Sequence, residues 1–426
     1  MIDLQHILLP YIPRPLLQHI HAHPHIPTAP HTATFPAAVL FADVSGFTPL
    51  TERLSRQGSR GAEELTALMN GYFERMITLL TIVQGDVIKF GGDALFVLFT
   101  TREEPLDVAV RRAQYAANAL QEAMAEFHTL TSSAGPVALS MKIAIGAGEV
   151  LSFNIGGIAD RWEYVIAGDP LQQVAEAEKQ AKPGDIVLSP AAQALLDRPP
   201  APRPRPLPAQ TDVLVPDLMQ IAPVLRCYTP RTVQAALQAE SHTWLGALRP
   251  MSVIFLKVAG LDYAAPAVLA RLQTLLRAVQ TTVYRYEGII ARVAVDDKGT
   301  TLLILFGAPP FAHEDDAPRA VCCALELQEQ TGAGSLRRLG LKFAIGITTG
   351  RVFAGPVGSP TRREYTVMGD TVNLAARLMS KAAGDGILCD TATYQQSRSQ
   401  VLFETLEPVE LKGKSSPVPI FRPLRD

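Results

Sequence analysis

The sequence predicts an α+β protein in which one ferredoxin-like domain is built twice along the chain. Three observations lead there. The chain has 426 residues, about three times the usual ~150 of one domain. Four segments recur in the same order at a separation of about 200 residues. Each copy also runs strand, helix, hairpin, helix, strand, the order of one sheet with helices packed against it.

The recurring segments are specific. Met141-Lys-Ile-Ala-Ile-Gly146 matches Leu341-Lys-Phe-Ala-Ile-Gly346, and Arg161-Trp-Glu-Tyr-Val-Ile-Ala-Gly-Asp169 matches Arg362-Arg-Glu-Tyr-Thr-Val-Met-Gly-Asp370. Gly184-Asp-Ile-Val-Leu188 matches Gly384-Asp-Gly-Ile-Leu388, and Ala94-Leu-Phe-Val-Leu-Phe99 matches Thr301-Leu-Leu-Ile-Leu-Phe306. A unit this long is a whole domain, so the chain reads as a tandem duplication. An apolar strand opens each copy (37–41; 253–256) and an amphipathic helix follows (63–81; 267–286). Next comes a hairpin, led in by Gly85 or Gly288 and turning at Gly91-Gly92 or Gly299. A second helix (105–127; 317–330) precedes strands that end in a Gly-Asp turn and a short helix.

The expected organisation is a His- and Pro-rich leader at 1–35, a first domain at 36–198, a Pro-rich linker region at 199–249 and a second domain at 250–426. The leader carries His6, His19, His21, His23, His25 and His31, six of the nine histidines. That spacing is compatible with a transition metal, but the prolines favour a plain leader that docks loosely. Pro199 to Pro208 reads as a stiff extended linker.

Composition narrows the function. With 47% hydrophobic and 19% charged residues, a mainly disordered chain is excluded. Lys+Arg 39 against Asp+Glu 41 gives no basic footprint for nucleic acid or an anionic membrane. The four cysteines fit a reducing compartment better than a disulfide framework, and no apolar run reaches the 18 residues of a membrane span.

Val39-Leu-Phe-Ala-Asp43 is a strand that ends in an acid ahead of a small-residue loop and a helix start, a layout suited to metal plus phosphate. Taken alone, Asp43 reads as a helix cap, and Asp93, in Lys89-Phe-Gly-Gly-Asp-Ala-Leu95, as turn chemistry. Together they fall at one sheet edge, where two carboxylates suit a pair of Mg²⁺ ions. The second copy lacks both acids: alignment by motif sets Lys257 against Asp43 and Thr300 against Asp93. It carries instead Lys298 in the hairpin turn, Thr366 on a strand, and Asn373 and Arg377 four apart on one helix face. The first copy has Gly91, Val165, Gln172 and Glu176 at those places. Individually each is an ordinary surface residue. Two halves that have lost complementary parts describe a single site at a pseudo-twofold interface.

Phe41-Ala-Asp-Val-Ser-Gly-Phe-Thr48, Lys89-Phe-Gly-Gly-Asp-Ala-Leu95 and Val367-Met-Gly-Asp-Thr-Val-Asn-Leu-Ala-Ala-Arg377 resemble the signature segments of class III nucleotidyl cyclase catalytic domains. The tandem asymmetric layout is similar to that of soluble, bicarbonate-responsive adenylyl cyclases. The resemblance implies two cyclase domains paired within one chain as a pseudo-heterodimer, turning ATP into 3′,5′-cyclic AMP and pyrophosphate. It implies that Asp43 and Asp93 hold two Mg²⁺ or Mn²⁺ ions, one activating the ribose 3′-hydroxyl and the other clamping the triphosphate. Ser45, Gly46, Phe47 and Thr48 would cradle phosphates. Lys298 and Thr366 would read adenine, Asn373 would orient the ribose, Arg377 would stabilise charge on the transferring phosphorus, and Lys414 would bind phosphate. Guanylyl specificity is disfavoured, since a Lys298 ammonium cannot accept from guanine N1–H.

One departure stands out. Lys89 matches a bicarbonate-site lysine of that subgroup, but its arginine partner falls on Ala175, so bicarbonate activation is not expected. The expected working form is a cytoplasmic monomer with its two domains paired in one chain, with ATP as partner and neither nucleic acid nor a membrane span involved. The competing readings are a non-catalytic nucleotide-binding pseudocyclase and a regulatory piece of a larger signalling protein.

Overall fold

The computed structural model describes residues 7–55, 57–101, 104–198, 218–238, 246–296, 299–382, 384, 386–411 and 416–425. Lys298, Lys414, His6 and the linker stretch 199–217 lie outside the described residues, as does the Thr48 side chain.

The first half opens with helix α1 (Arg14–Ala22) and a long strand β1 (His31–Ser45), then α2 (Phe47–Ser55) and α3 (Ser59–Ile82). The hairpin β2 (Asp86–Gly91) and β3 (Ala94–Thr100) follows, then α4 (Leu106–Ala123) and the short pair β4 (Leu130–Ser132) and β5 (Gly135–Val137). Next are β6 (Ser140–Ile158), β7 (Arg161–Ala167), α5 (Asp169–Gln180), β8 (Ile186–Leu188) and α6 (Pro190–Leu196). After α7 (Leu218–Tyr228) and α8 (Arg231–Gln238) the pattern returns: β9 (Ala247–Ala259), α9 (Val268–Arg285), β10 (Ile289–Asp296), β11 (Gly299–Phe306) and α10 (Asp316–Gly332). It continues as β12 (Lys342–Gly358), β13 (Arg363–Met368), α11 (Asp370–Lys381), β14 (Ile387–Cys389) and α12 (Thr391–Ser397), and ends with β15 (Leu402–Val409) and β16 (Val418–Leu424).

The expected α+β class and duplication hold. One sheet runs β2-β3-β1-β6-β7 with β8 on β6, and the other runs β10-β11-β9-β12-β14-β16-β15 with β13 on β12. The hairpin–first strand–long strand order is therefore the same in both. The central strands are near-continuous apolar runs, as strands covered on both faces must be; Val39, Leu40 and Ala42 are fully buried, as are Val253, Ile254 and Leu256.

Two compact units form, and each draws on both halves of the sequence. The first comprises Met1–Asn154, Ile166–Thr229 and Pro356–Thr366; the second comprises Ile155–Val165, Pro230–Gly355 and Val367–Asp426. The residues that break the simple halves are the β6–β7 and β12–β13 turns. In the second unit the Gln280 side chain is fully buried and serves the first-half segment: it accepts from Ile158 N (3.2 Å) and donates to Arg161 O (2.9 Å). In the first unit Asn70 accepts from Gly358 N at 3.2 Å.

The leader is not loosely docked. Leu16 and Ile20 on α1, with Leu8 and Ile12 just before it, are buried at an i, i+4 spacing. His31 to Phe35 are part of β1, paired with β6 from Asn154 to Val150. The rings of His19, His23 and His31 gather with centroids 4.6 to 5.8 Å apart. Burial first, then the neighbouring His31 and His23, pushes His19 down to about 4. Among the described residues no group of three or more His, Cys, Asp or Glu is disposed to hold a metal ion, which leaves the chelating reading of the leader without support.

Candidate functional site

In the first unit, the β1 and β3 registers bring the two acids to one edge. Ala42 pairs with Leu95, so Asp43 stands one residue past the ladder while Asp93 sits in the tight turn just before β3. Asp43 follows a buried run on β1, and its carboxyl is pushed up by burial, then eased by Lys142. Asp93 is pushed up to about 7, by burial first and then by the Asp43 charge, against a backbone N–H that favours its ionised form. The Asp43 charge thus acts on the Asp93 carboxyl, the effect a nearby like charge has. Beneath them Tyr72 is fully buried among Phe47, Phe73 and Phe127, with ring centroids 5.1 to 5.5 Å away. Its hydroxyl has no hydrogen-bond partner among the described residues, and burial together with Asp93 and Asp43 raises it well above the ordinary phenol.

Sequence reasoning missed Lys142 and Glu178. Lys142 lies directly opposite Asp43 across the β1–β6 ladder. Its Nζ is 3.4 Å from Asp43 Oδ2 and also donates to Glu178 on α5. The available signal was the lysine itself, interrupting an apolar strand in the recurring Met141-to-Gly146 segment. Two acids, Asp43 and Glu178, flank this one ammonium, and the Asp43 charge also acts on Asp93; a carboxylate pair of this kind offers the oxygen donors a hard divalent ion prefers. The residues present therefore fit Mg²⁺ or Mn²⁺.

The loop after Asp43 carries Ser45, Gly46 and Phe47 into α2. Gly46 has φ +118°, and a Cβ there would meet Ala138 O at 2.6 Å, so only glycine allows the backbone to pass this close. Phe47 is buried and its carbonyl accepts from Thr51 Oγ1 at 2.9 Å, which ties the first turn down. Lys89, half-buried, lies opposite Phe96 on β3. Thr366, buried on β13, belongs to this same unit rather than to the second.

The second unit holds Asn373 and Arg377 on α11. Val372, Leu374, Ala375, Leu378 and Met379 are buried and fix the helix by its other faces, leaving Asn373 and Arg377 half-buried on a shared face. Gly346 under this helix admits it closely, since a Cβ there would collide with the backbone of Ala375 and Met379. Arg377 Nη1 is buried with no hydrogen-bond partner among the described residues. A buried guanidinium nitrogen left unpaired costs roughly 1–3 kcal/mol, so an anionic ligand that paired it would bind to a site already organised.

The hairpin ladders keep the motif alignment of the halves. Leu95 opposes Ala42, and Leu302, its match in the recurring segment, opposes Leu256, so Lys257 stands at the Asp43 position and Thr300 at the Asp93 position. The other ladder is offset by two residues: Lys142 opposes Asp43, whereas Lys342 opposes Ala259. The second half has neither acid at these positions.

The Asp93 carboxyl makes a pH prediction. Its folded value lies above its ordinary 3.8, so through this group the native state binds more protons than the unfolded chain between about 4 and 7, and its share of stability falls as pH rises through that window. His19, held down to about 4, acts the other way at the lower end of it, so the Asp93 share is read as a difference from Asp93→Asn. Without metal, the melting temperature of wild type relative to that variant should fall from pH 5 to pH 8, and millimolar Mg²⁺ should remove most of the fall. A difference that does not change with pH would contradict the Asp93 assignment.

The comparisons with known proteins agree with this layout. The model of the adenylate and guanylate cyclase catalytic domain matches residues 30–204 and again 250–421. Adenylate cyclase type 10 of Rattus norvegicus is 26% identical over 444 residues, covering 93% of this chain and 27% of that protein. The Homo sapiens protein of the same name is 26% identical over 441 residues with the same coverage. The chain thus spans about a quarter of the length of these curated relatives. Among solved structures, a class III adenylyl cyclase-like ATP-binding protein from Pseudomonas aeruginosa is 16% identical, with a TM-score of 0.61 over 87% of this chain and 86% of that one, a likeness of fold. With one catalytic-domain match in each half and the paired acids confined to the first, the chain belongs to the adenylate and guanylate cyclase catalytic domain family, as a class III member with two such domains in tandem.

Proposed function

We propose that the chain is an adenylyl cyclase that converts ATP into 3′,5′-cyclic AMP and pyrophosphate. The observation that carries this reading is the pair Asp43 and Asp93 at one sheet edge, present once in a duplicated chain. In the reaction the ribose 3′-oxygen forms a bond to the α-phosphorus, the bond to the bridging oxygen of the β-phosphate breaks, and the hydroxyl proton is lost. Asp43 and Asp93 would hold two Mg²⁺ or Mn²⁺ ions, which when bound acidify the 3′-hydroxyl and neutralise the triphosphate.

The chain's own groups would supply the rest. The backbone amides of Ser45 to Phe47 and the Thr48 hydroxyl hold phosphate oxygens at the start of α2, where the helix dipole favours negative charge. Lys414 adds a further cation for the phosphates. Lys298 donates to an adenine ring nitrogen and Thr366 to the same edge. Asn373 holds the ribose so that its 3′-oxygen faces phosphorus. Arg377 pairs with the oxygens of the transferring phosphoryl group, where charge builds as the bond breaks. We place this activity in the cytoplasm, with one chain sufficient. All four cysteines are free, which accords with a reducing compartment, and no described helix is long and apolar enough to cross a membrane.

The test is cyclic nucleotide formation by the purified chain from ATP and, separately, GTP, with Mg²⁺ or Mn²⁺. Cyclic AMP from ATP alone is expected, and bicarbonate should leave the rate unchanged because Ala175 supplies no second cation for it. ATP binding without product under every condition would instead make the chain a nucleotide-binding pseudocyclase. Lys298→Glu should cut the ATP reaction by about 10²-fold or more, because a donor to adenine becomes an unpaired acceptor. Unchanged ATP turnover in that variant would remove Lys298 from base recognition.

A further inference from the structure

The β2–β3 hairpin that carries Asp93 turns at Gly92, which has φ +80° and open space where a Cβ would stand. What fixes the hairpin lies just before the tip and comes from the far end of the sequence. β2 bulges between Val87 and Lys89 where it pairs with β3, which takes nearby carbonyls out of the regular ladder. The buried guanidinium of Arg362 receives them: Nε donates to Val87 O and Nη2 to Ile88 O, each at 2.7 Å. Its Nη1 donates to Pro10 O at 3.3 Å and also to Arg363 O. The same guanidinium lies over the Phe90 ring, 5.3 Å from its centroid. Glu364 completes the grip, accepting from Phe90 N at 3.0 Å with its carboxylate 3.9 Å from Arg362.

All of these residues belong to the first unit, although Arg362 and Glu364 lie some 270 positions from β2. A planar fork with several fixed donors is suited to two adjacent carbonyls, and an ammonium is not. Charge burial on this scale is costly as a stabilising device. Here it is spent within six residues of Asp93, and on the strand that carries Thr366 two residues beyond Glu364.

We propose that Arg362 and Glu364 are positioning residues for the metal site: they clamp residues 87–90 and so set where the Asp93 carboxylate stands, tying it to the strand that bears Thr366. This rests on the reading of Asp93 as a metal ligand. Partners that hold a ligand in place typically contribute 10–100-fold to metal affinity.

The experiment uses the full chain as wild type, Glu364→Ala, Glu364→Gln and Arg362→Lys. Mn²⁺ binding is followed by electron paramagnetic resonance in the presence of a non-cyclisable ATP analogue, and deuterium exchange is followed over residues 86–93. Glu364→Ala should weaken Mn²⁺ binding about 10-fold, speed exchange in that stretch alone, and recover turnover at saturating Mn²⁺ with little change in KM for ATP. Glu364→Gln keeps an oxygen for Phe90 N and should stay within about threefold of wild type. Arg362→Lys, which keeps the charge and loses the fork, should behave like Glu364→Ala and carries the test if that variant does not fold. Mn²⁺ affinity within twofold of wild type in folded Glu364→Ala or Arg362→Lys, or faster exchange across the whole unit, would overturn the proposal. Failure of the wild type to bind Mn²⁺ with the analogue would overturn the metal reading beneath it, a distinguishable result.

Discussion

Asp93→Asn is expected to abolish cyclic AMP formation while making the metal-free protein more stable. The carboxylate is held in its charged form at pH 8 against both burial and Asp43, which together put its folded value at about 7. Relative to an ordinary carboxyl near 3.8, that tension is worth on the order of a few kcal/mol. An amide of the same shape removes the charge and keeps the turn. The melting temperature at pH 8 without metal should therefore rise, and the gain over wild type should shrink toward pH 5. Metal affinity should drop at the same time, because one of the two proposed anionic ligands is gone. Such opposition of stability and activity marks a group retained for function. Wild-type turnover in Asp93→Asn would eliminate the two-carboxylate metal site. Lost activity with a lower melting temperature would mean that the residue serves the fold instead.

Arg377→Ala is expected to lower kcat by about 10³-fold while changing nucleotide affinity only a few-fold. Its guanidinium has a buried nitrogen without a partner among the described residues. A protein keeps such a donor unpaired when something else is to pair with it, and a donor whose partner acquires charge only as the bond breaks acts on rate more than on binding. The helix should survive the change, since α11 is fixed by Leu374, Ala375, Leu378 and Met379 and not by the Arg377 face. Arg377→Lys should rescue poorly, because one ammonium cannot present two parallel N–H groups to a phosphoryl group. A higher KM with kcat unchanged would assign Arg377 to ground-state binding and refute the transition-state role.

Much of this fold was legible in the sequence because the duplication provides its own control. The recurring Ile-Ala-Ile-Gly segments mark strands whose terminal glycine admits a helix backbone, and the collision a Cβ would make at Gly346 is the physical reason that letter recurs. Asp43 and Asp93 were legible as a pair since strand order alone sets them at one edge. The pairing of the halves was legible too: motif matching sets Lys257 against Asp43, and the hairpin ladders keep that match; the two-residue offset of β12 against β9 was not. Lys142, Glu178, Arg362 and Glu364 were also invisible as parts of the site. Each acts through a partner distant in sequence, and a charged residue within an apolar strand carries no mark of what it will face. The leader misled in the opposite sense: its prolines suggested a loose segment, while the i, i+4 spacing of Leu8, Ile12, Leu16 and Ile20 shows a buried stripe.

The make-up of the two compact units also bears on how such a gene can change. Residues 356–366, encoded late, belong to the first unit, and residues 155–165, encoded early, belong to the second. Fission of the reading frame in the proline stretch after Pro199 would leave the early product with the Val87 and Ile88 carbonyls and no guanidinium to receive them. The late product would keep Gln280 without its Ile158 and Arg161 partners. Each copy expressed on its own would therefore lack a segment that its compact unit draws from the other copy. The boundary between the repeats in sequence is thus not the boundary between the units.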